Sequence, residues 1–83
     1  MATQSQSRVN REQVETALSR VLLQKLREDA YPSFSQMDLL ERTIPPSLHR
    51  EYVSILLEKV AGDRWPSHSL LRRIHRFSGQ LSA

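Results

Sequence analysis

The chain has no cysteine, only two glycines, and no apolar run longer than three residues, as at 21–23. The missing cysteine excludes disulfides, thiolate zinc sites, iron–sulfur clusters and a cysteine nucleophile. Two glycines cannot build a glycine-rich phosphate loop. With four prolines they also argue against a turn-rich β fold and against low-complexity disorder. The apolar runs fall far short of the roughly 20 residues that span a bilayer. Residues 1–8 are mostly Ser, Gln and Thr without the apolar stretch of a secretory signal. They are expected to form a disordered leader on a soluble, cytoplasmic protein. Finally, residues 64–83 contain no acidic side chain at all.

What is present is a chain of 83 residues, 39% hydrophobic and 25% charged, the balance of one small globular domain. The apolar residues recur with a helical period and no segment alternates with period two. The expected fold is therefore all-α, a small four-helix bundle with helices near 10–30, 35–44, 46–61 and 66–78. The domain is placed at 9–79, with residues 80–83 as a frayed tail. Without disulfides, tight helix packing or oligomerisation must stabilise so short a chain.

The first helix opens at Asn10, with Gln13 in capping-box position and Val9 and Val14 placed for a hydrophobic staple. Val14, Ala17, Leu18, Val21, Leu22 and Leu26 are expected to hold its buried face, and Pro32 to stop it near Ala30. Leu23 then points away from the core. Ser35 is the expected cap of the second helix, with Asp38 at N3 and Phe34 stapled to Leu39; Pro45 and Pro46 end it. The third starts at Pro46 or Ser47 and is apolar over more than half its circumference, through Leu48, Tyr52, Val53, Ile55, Leu56, Leu57, Val60 and Ala61. Neighbours on several sides are expected to bury it, and Gly62 to end it as a C′ residue. In the fourth, begun at Pro66 or Ser67, Leu70, Leu71, Ile74 and Phe77 form the buried stripe, with Gly79 just past its end.

Arg64, Arg72, Arg73 and Arg76 give residues 64–83 a charge of +4, so the overall +3 leaves −1 for residues 1–63. At about 100° per residue, Arg72 and Arg76 stack on the side opposite Leu70, Ile74 and Phe77, flanked by Arg73 and His75. These four arginines are the candidate anion or partner-binding residues, since guanidinium pairs bidentately with phosphate and carboxylate. A plain solvated face favourable to the helix dipole is the alternative. Residues 66–74 also resemble the start of a helix-turn-helix recognition helix, with small polar residues, apolar anchors and then arginine. The linker before them is longer than the usual turn, and the helix ahead of it is too apolar to cross a DNA backbone.

The three histidines lie outside chelating spacing, so no metal site is expected. No nucleophile elbow is present, and no catalytic residue, cofactor or small-molecule substrate is implied. The stripe of the last helix is needed by the core, which argues against its lying on a membrane. Leu23 and Trp65 are the candidate interface anchors, Trp being enriched at binding hot spots. The expected function is a non-catalytic module that binds a protein partner or itself. The alternative is a small DNA- or RNA-binding protein using the basic last helix.

Overall fold

The computed structural model describes residues 9–29 and 32–81. The expected leader at 1–8 lies outside them, as do Ala30, Tyr31, Ser82 and Ala83. Within them the chain forms the expected all-α four-helix bundle: α1 (Arg11–Glu28), α2 (Phe34–Thr43), a 3-10 turn (Pro46–Leu48), α3 (His49–Gly62) and α4 (His68–Ser78). The helices pack as two pairs, α1 on α2 and α3 on α4, and α1 against α3 joins the pairs.

Local chemistry sets most of the starts. Asn10 accepts from the Gln13 amide at 2.8 Å and Gln13 Oε1 accepts from the Asn10 amide at 3.0 Å, completing the capping box. Ser67 caps α4 through the Leu70 amide. In α2 the cap is Ser33 and not Ser35: its hydroxyl accepts from the Gln36 amide at 3.1 Å. The same serine-plus-three pattern occurs two residues earlier than expected. That start puts Phe34 at N1 and frees Asp38 for a contact described below. Pro46 opens a single 3-10 turn, so the α-helical part of α3 begins only at His49. Gly62 is the last residue of α3, and neither glycine has a positive φ. The expected left-handed stop is therefore not used; Asp63 leaves the helix in extended geometry. Residues 80 and 81 continue as a turn, with Leu81 packed against the core.

The core runs through all four helices: Leu23 and Leu26 from α1, Met37 and Leu40 from α2, Tyr52, Val53, Ile55 and Leu56 from α3, and Leu70, Ile74 and Phe77 from α4. Ile44 and Leu48, on either side of Pro45-Pro46, close one end. Phe77 meets Tyr52 edge to face at 4.9 Å and His49 at 5.0 Å, the geometry that the ring quadrupole favours. His49 is thus a packed histidine at the start of α3. Leu57, Ala61 and Leu71, expected inside, are exposed. Only about half of α3 meets a neighbour, because α4 and α1 cover one side.

The largest correction concerns α1. Leu23 is 2% exposed and lies in the core, whereas Val14 and Val21 are 49% and 55% exposed. Ala17 is also exposed and Leu18 half-buried. Ser19, Leu23 and Leu26 recur at i, i+4 and i+7 and form the inward stripe; the Val14 stripe lies about 150° away at 100° per residue. A straight helix cannot bury both sides against one body. The side with two leucines wins, each worth about 1.5–3 kcal/mol on burial, and Ser19 is small enough to sit where α1 crosses α2.

Candidate interaction surfaces

Of the four candidate arginines, Arg73 is in the interior. It follows Leu70 by three residues and precedes Phe77 by four, so it shares their inward stripe. There Nη2 pairs with Asp38 Oδ1 at 2.8 Å and Nη1 with Glu41 Oε2 at 3.0 Å. The guanidinium lies 5.1 Å from the Phe34 ring centroid, a cation–π distance. Asp38 and Glu41 are one turn apart on α2, which lets one planar fork reach both. Tyr52 of α3 donates its hydroxyl to the same Glu41 oxygen. Three helices are thus tied at one carboxylate.

The electrostatics of this cluster follow from its burial. Desolvation would lower the Arg73 pKa, but hydrogen bonds to Glu41 and Asp38 and the charge of Glu41 outweigh it and raise the value further. Burial, then the hydrogen bond to Glu41 and its charge, push Tyr52 well above its usual 10.0, against a smaller opposing effect of Arg73. Arg73 Nε is buried without a hydrogen-bond partner. Arg73 therefore holds the fold together and does not stand on the surface as a free cation.

Arg72 and Arg76 are exposed as expected and line one shallow surface with Leu71 and His75. Neither forms an ion pair among the described residues. Arg64 and Trp65 are exposed in the linker, Trp65 at 86%, so the indole takes no part in the core. The structure leaves Arg64 outside the α4 patch that joins Arg72 and Arg76.

A largely apolar surface depression lies elsewhere, on the outward side of α1. Val9, Gln13, Val14, Ala17, Leu18 and Val21 line it. Periodicity found these residues but assigned them to the core. The signal for the correct side was the second stripe at 19, 23 and 26, hidden because Ser19 reads as a surface residue. Among the described residues no helix is long and apolar enough to cross a membrane, and no three His, Asp or Glu side chains are grouped to hold a metal ion. Comparison with family models, curated proteins and solved structures returns no match.

Proposed function

We propose that this chain is a non-catalytic, cytoplasmic interaction module that binds a protein through the outward face of α1. The observation that supports this reading is the exposure of Val14 and Val21, 49% and 55%, on a capped helix whose opposite side already completes the core. Single exposed apolar residues are ordinary. Here they recur at helical spacing on one side, the arrangement by which a helix meets another helix. Leu23 takes no part in binding, since the core holds it. Trp65 stays a candidate anchor, exposed on the linker between α3 and α4.

The test compares the parent with Val14→Glu/Val21→Glu, whose folding is checked by circular dichroism. Light scattering reads self-association, and immobilised protein reads association with other proteins. The expected result is an association, with itself or with another protein, that the double variant loses. A monomer at high micromolar concentration, whose captured proteins are the same for parent and variant, would overturn the reading.

The exposure of Arg72 and Arg76 side by side on α4 favours a second reading, nucleic-acid binding. With Arg73 committed to Asp38 and Glu41, it rests on two arginines of that helix. Binding to a random duplex should then fall steeply between about 50 and 200 mM salt and vanish in Arg72→Glu/Arg76→Glu. Failure to bind at the lower salt would discard it.

A further inference from the structure

We propose that the exposed side of α4 and Trp65 ahead of it bind single-stranded nucleic acid, a base stacking on the indole while Arg72 and Arg76 hold phosphates. This rests on the second reading above, nucleic-acid binding, and names the form of nucleic acid and the way it is held. Tryptophan is highly buried on average, yet Trp65 is 86% exposed. It has no aromatic or cationic partner among the described residues. Pro66 follows it and restricts the backbone at their junction, so the indole stands out from a stiff segment. Base stacking on such a ring tolerates any sequence, since every base has a π-face.

The helix that follows supplies the charge. At 100° per residue His68, Arg72, His75 and Arg76 fall within about 100° of one another, and all four are exposed. Arg72 and Arg76 are separated by about 6 Å along the axis, close to the spacing of adjacent phosphates in an extended strand. No carboxylate neutralises them. Residues 64–83 hold none. Glu51 pairs with Arg27 at 2.7 Å, and Asp38 and Glu41 pair with Arg73 on the inward side. The surface that Arg72 and Arg76 share with Leu71 and His75 has no acid in its lining. Asp63 adjoins Arg64 and offsets it, so the net positive charge lies on α4.

Other occupants fit this surface less well. A duplex keeps its bases stacked on one another and offers the indole no face. A lipid surface needs apolar side chains to enter it. Here α4 turns Leu70, Ile74 and Phe77 into the core and leaves only Leu71 outside. A single strand takes up both features, the ring and the cations.

The experiment uses the full chain, a labelled oligo-dT strand, a duplex of the same length and vesicles of phosphatidylserine with phosphatidylcholine. Anisotropy reads binding to the oligonucleotides, and emission of Trp65, the only tryptophan, reports what meets the ring. At about 50 mM salt the strand should bind about fivefold or more tightly than the duplex and quench the indole. Its affinity should fall about sevenfold by about 200 mM, as two neutralised phosphates require. Trp65→Ala should weaken binding of the strand about fivefold or more and leave the duplex unchanged. Arg72→Glu/Arg76→Glu should abolish both, with circular dichroism confirming that each variant folds. Equal affinity for strand and duplex with unchanged indole emission overturns single-strand stacking and leaves nucleic-acid binding standing. A blue-shifted indole on the vesicles, with neither oligonucleotide bound, overturns both in favour of an anionic lipid surface. No binding of any probe at about 50 mM salt overturns the inference together with the second reading.

Discussion

The hydroxyl of wholly buried Ser19 lies 3.2 Å from that of Thr43, at the point where α1 crosses α2. Thr43 also lies within hydrogen-bond reach of the carbonyls of Leu39 and Leu40, at 3.2 and 3.4 Å. Each hydroxyl can give one hydrogen and accept another, so either can donate in the pair. This small polar contact lies on the side of α1 that Leu23 and Leu26 turn inward, where the two helices come close.

Ser19→Ala should remove the hydroxyl–hydroxyl contact without disturbing the approach of the helices and cost about 1 kcal/mol. Ser19→Leu should push α1 off α2 and cost about 1–3 kcal/mol. Urea unfolding measures both. A leucine variant as stable as the parent would mean that the helices do not meet closely there.

The two sides of α1 can be told apart by truncation. Leu23→Ala should destabilise by about 2–5 kcal/mol, the range for a core leucine. Val21→Ala, on the outward side, should stay within about 0.5 kcal/mol. The reverse order in thermal or urea unfolding would restore the orientation read from periodicity alone.

Arg73→Met should cost about 2–3 kcal/mol, below the figure for a fully buried pair because Glu41 keeps 17% of its side chain exposed. Glu41→Gln/Arg73→Met should cost less than the two single changes together, since Gln still accepts from Tyr52 and leaves no charge stranded. Strict additivity in the double-mutant cycle would show that the two residues are not coupled.

Tyr52 gives the protein an alkaline limit. Burial and Glu41 raise its folded pKa above the 10.0 of the unfolded chain, so the unfolded state releases the proton first as pH rises. The stabilisation is complete below pH 10 and is lost above it, with a limiting slope of about 1.4 kcal/mol per pH unit. Tyr52→Phe should cost about 1 kcal/mol at neutral pH and flatten the decline above pH 10. Parallel declines in parent and variant would clear Tyr52 of this role.

Trp65 is the only tryptophan, which makes it a convenient reporter. Acrylamide should quench it as freely in the folded protein as in urea, and Trp65→Ala should shift stability by no more than about 0.5 kcal/mol. Strong protection from quenching would mean that the indole is covered.

The sequence was most legible where the deciding interaction is local. Asn10 with Gln13, and Ser67, announce their helices because a cap closes within four residues. The start of α2 was ambiguous because residues 33–38 hold two overlapping starts, and the choice fell to a distant partner, Arg73 on α4. Arg73 itself was legible by position and hidden by type. It completes the i, i+3, i+4, i+7 stripe with Leu70, Ile74 and Phe77, but an arginine is read as exposed unless its carboxylates are known. Asp38 and Glu41, one turn apart, were the available clue. The outward face of α1 was found as an apolar pattern and misplaced, because periodicity finds an apolar side without saying what covers it.

Every fully buried side chain of α1 lies at Ser19 or beyond. Its polar ties to α3, Arg27 with Glu51 and the Asp29 carbonyl with Lys59, hold only its C-terminal end. Resistance to amide hydrogen exchange must therefore climb along the helix, lowest near the capping box and highest past Leu23. Val14 and Ala17 sit on the part that unwinds most readily. A partner docking on that face would meet the segment of α1 least held by the core, and its arrival would be recorded as slowed exchange at residues 14–21 while the interior amides stay unchanged.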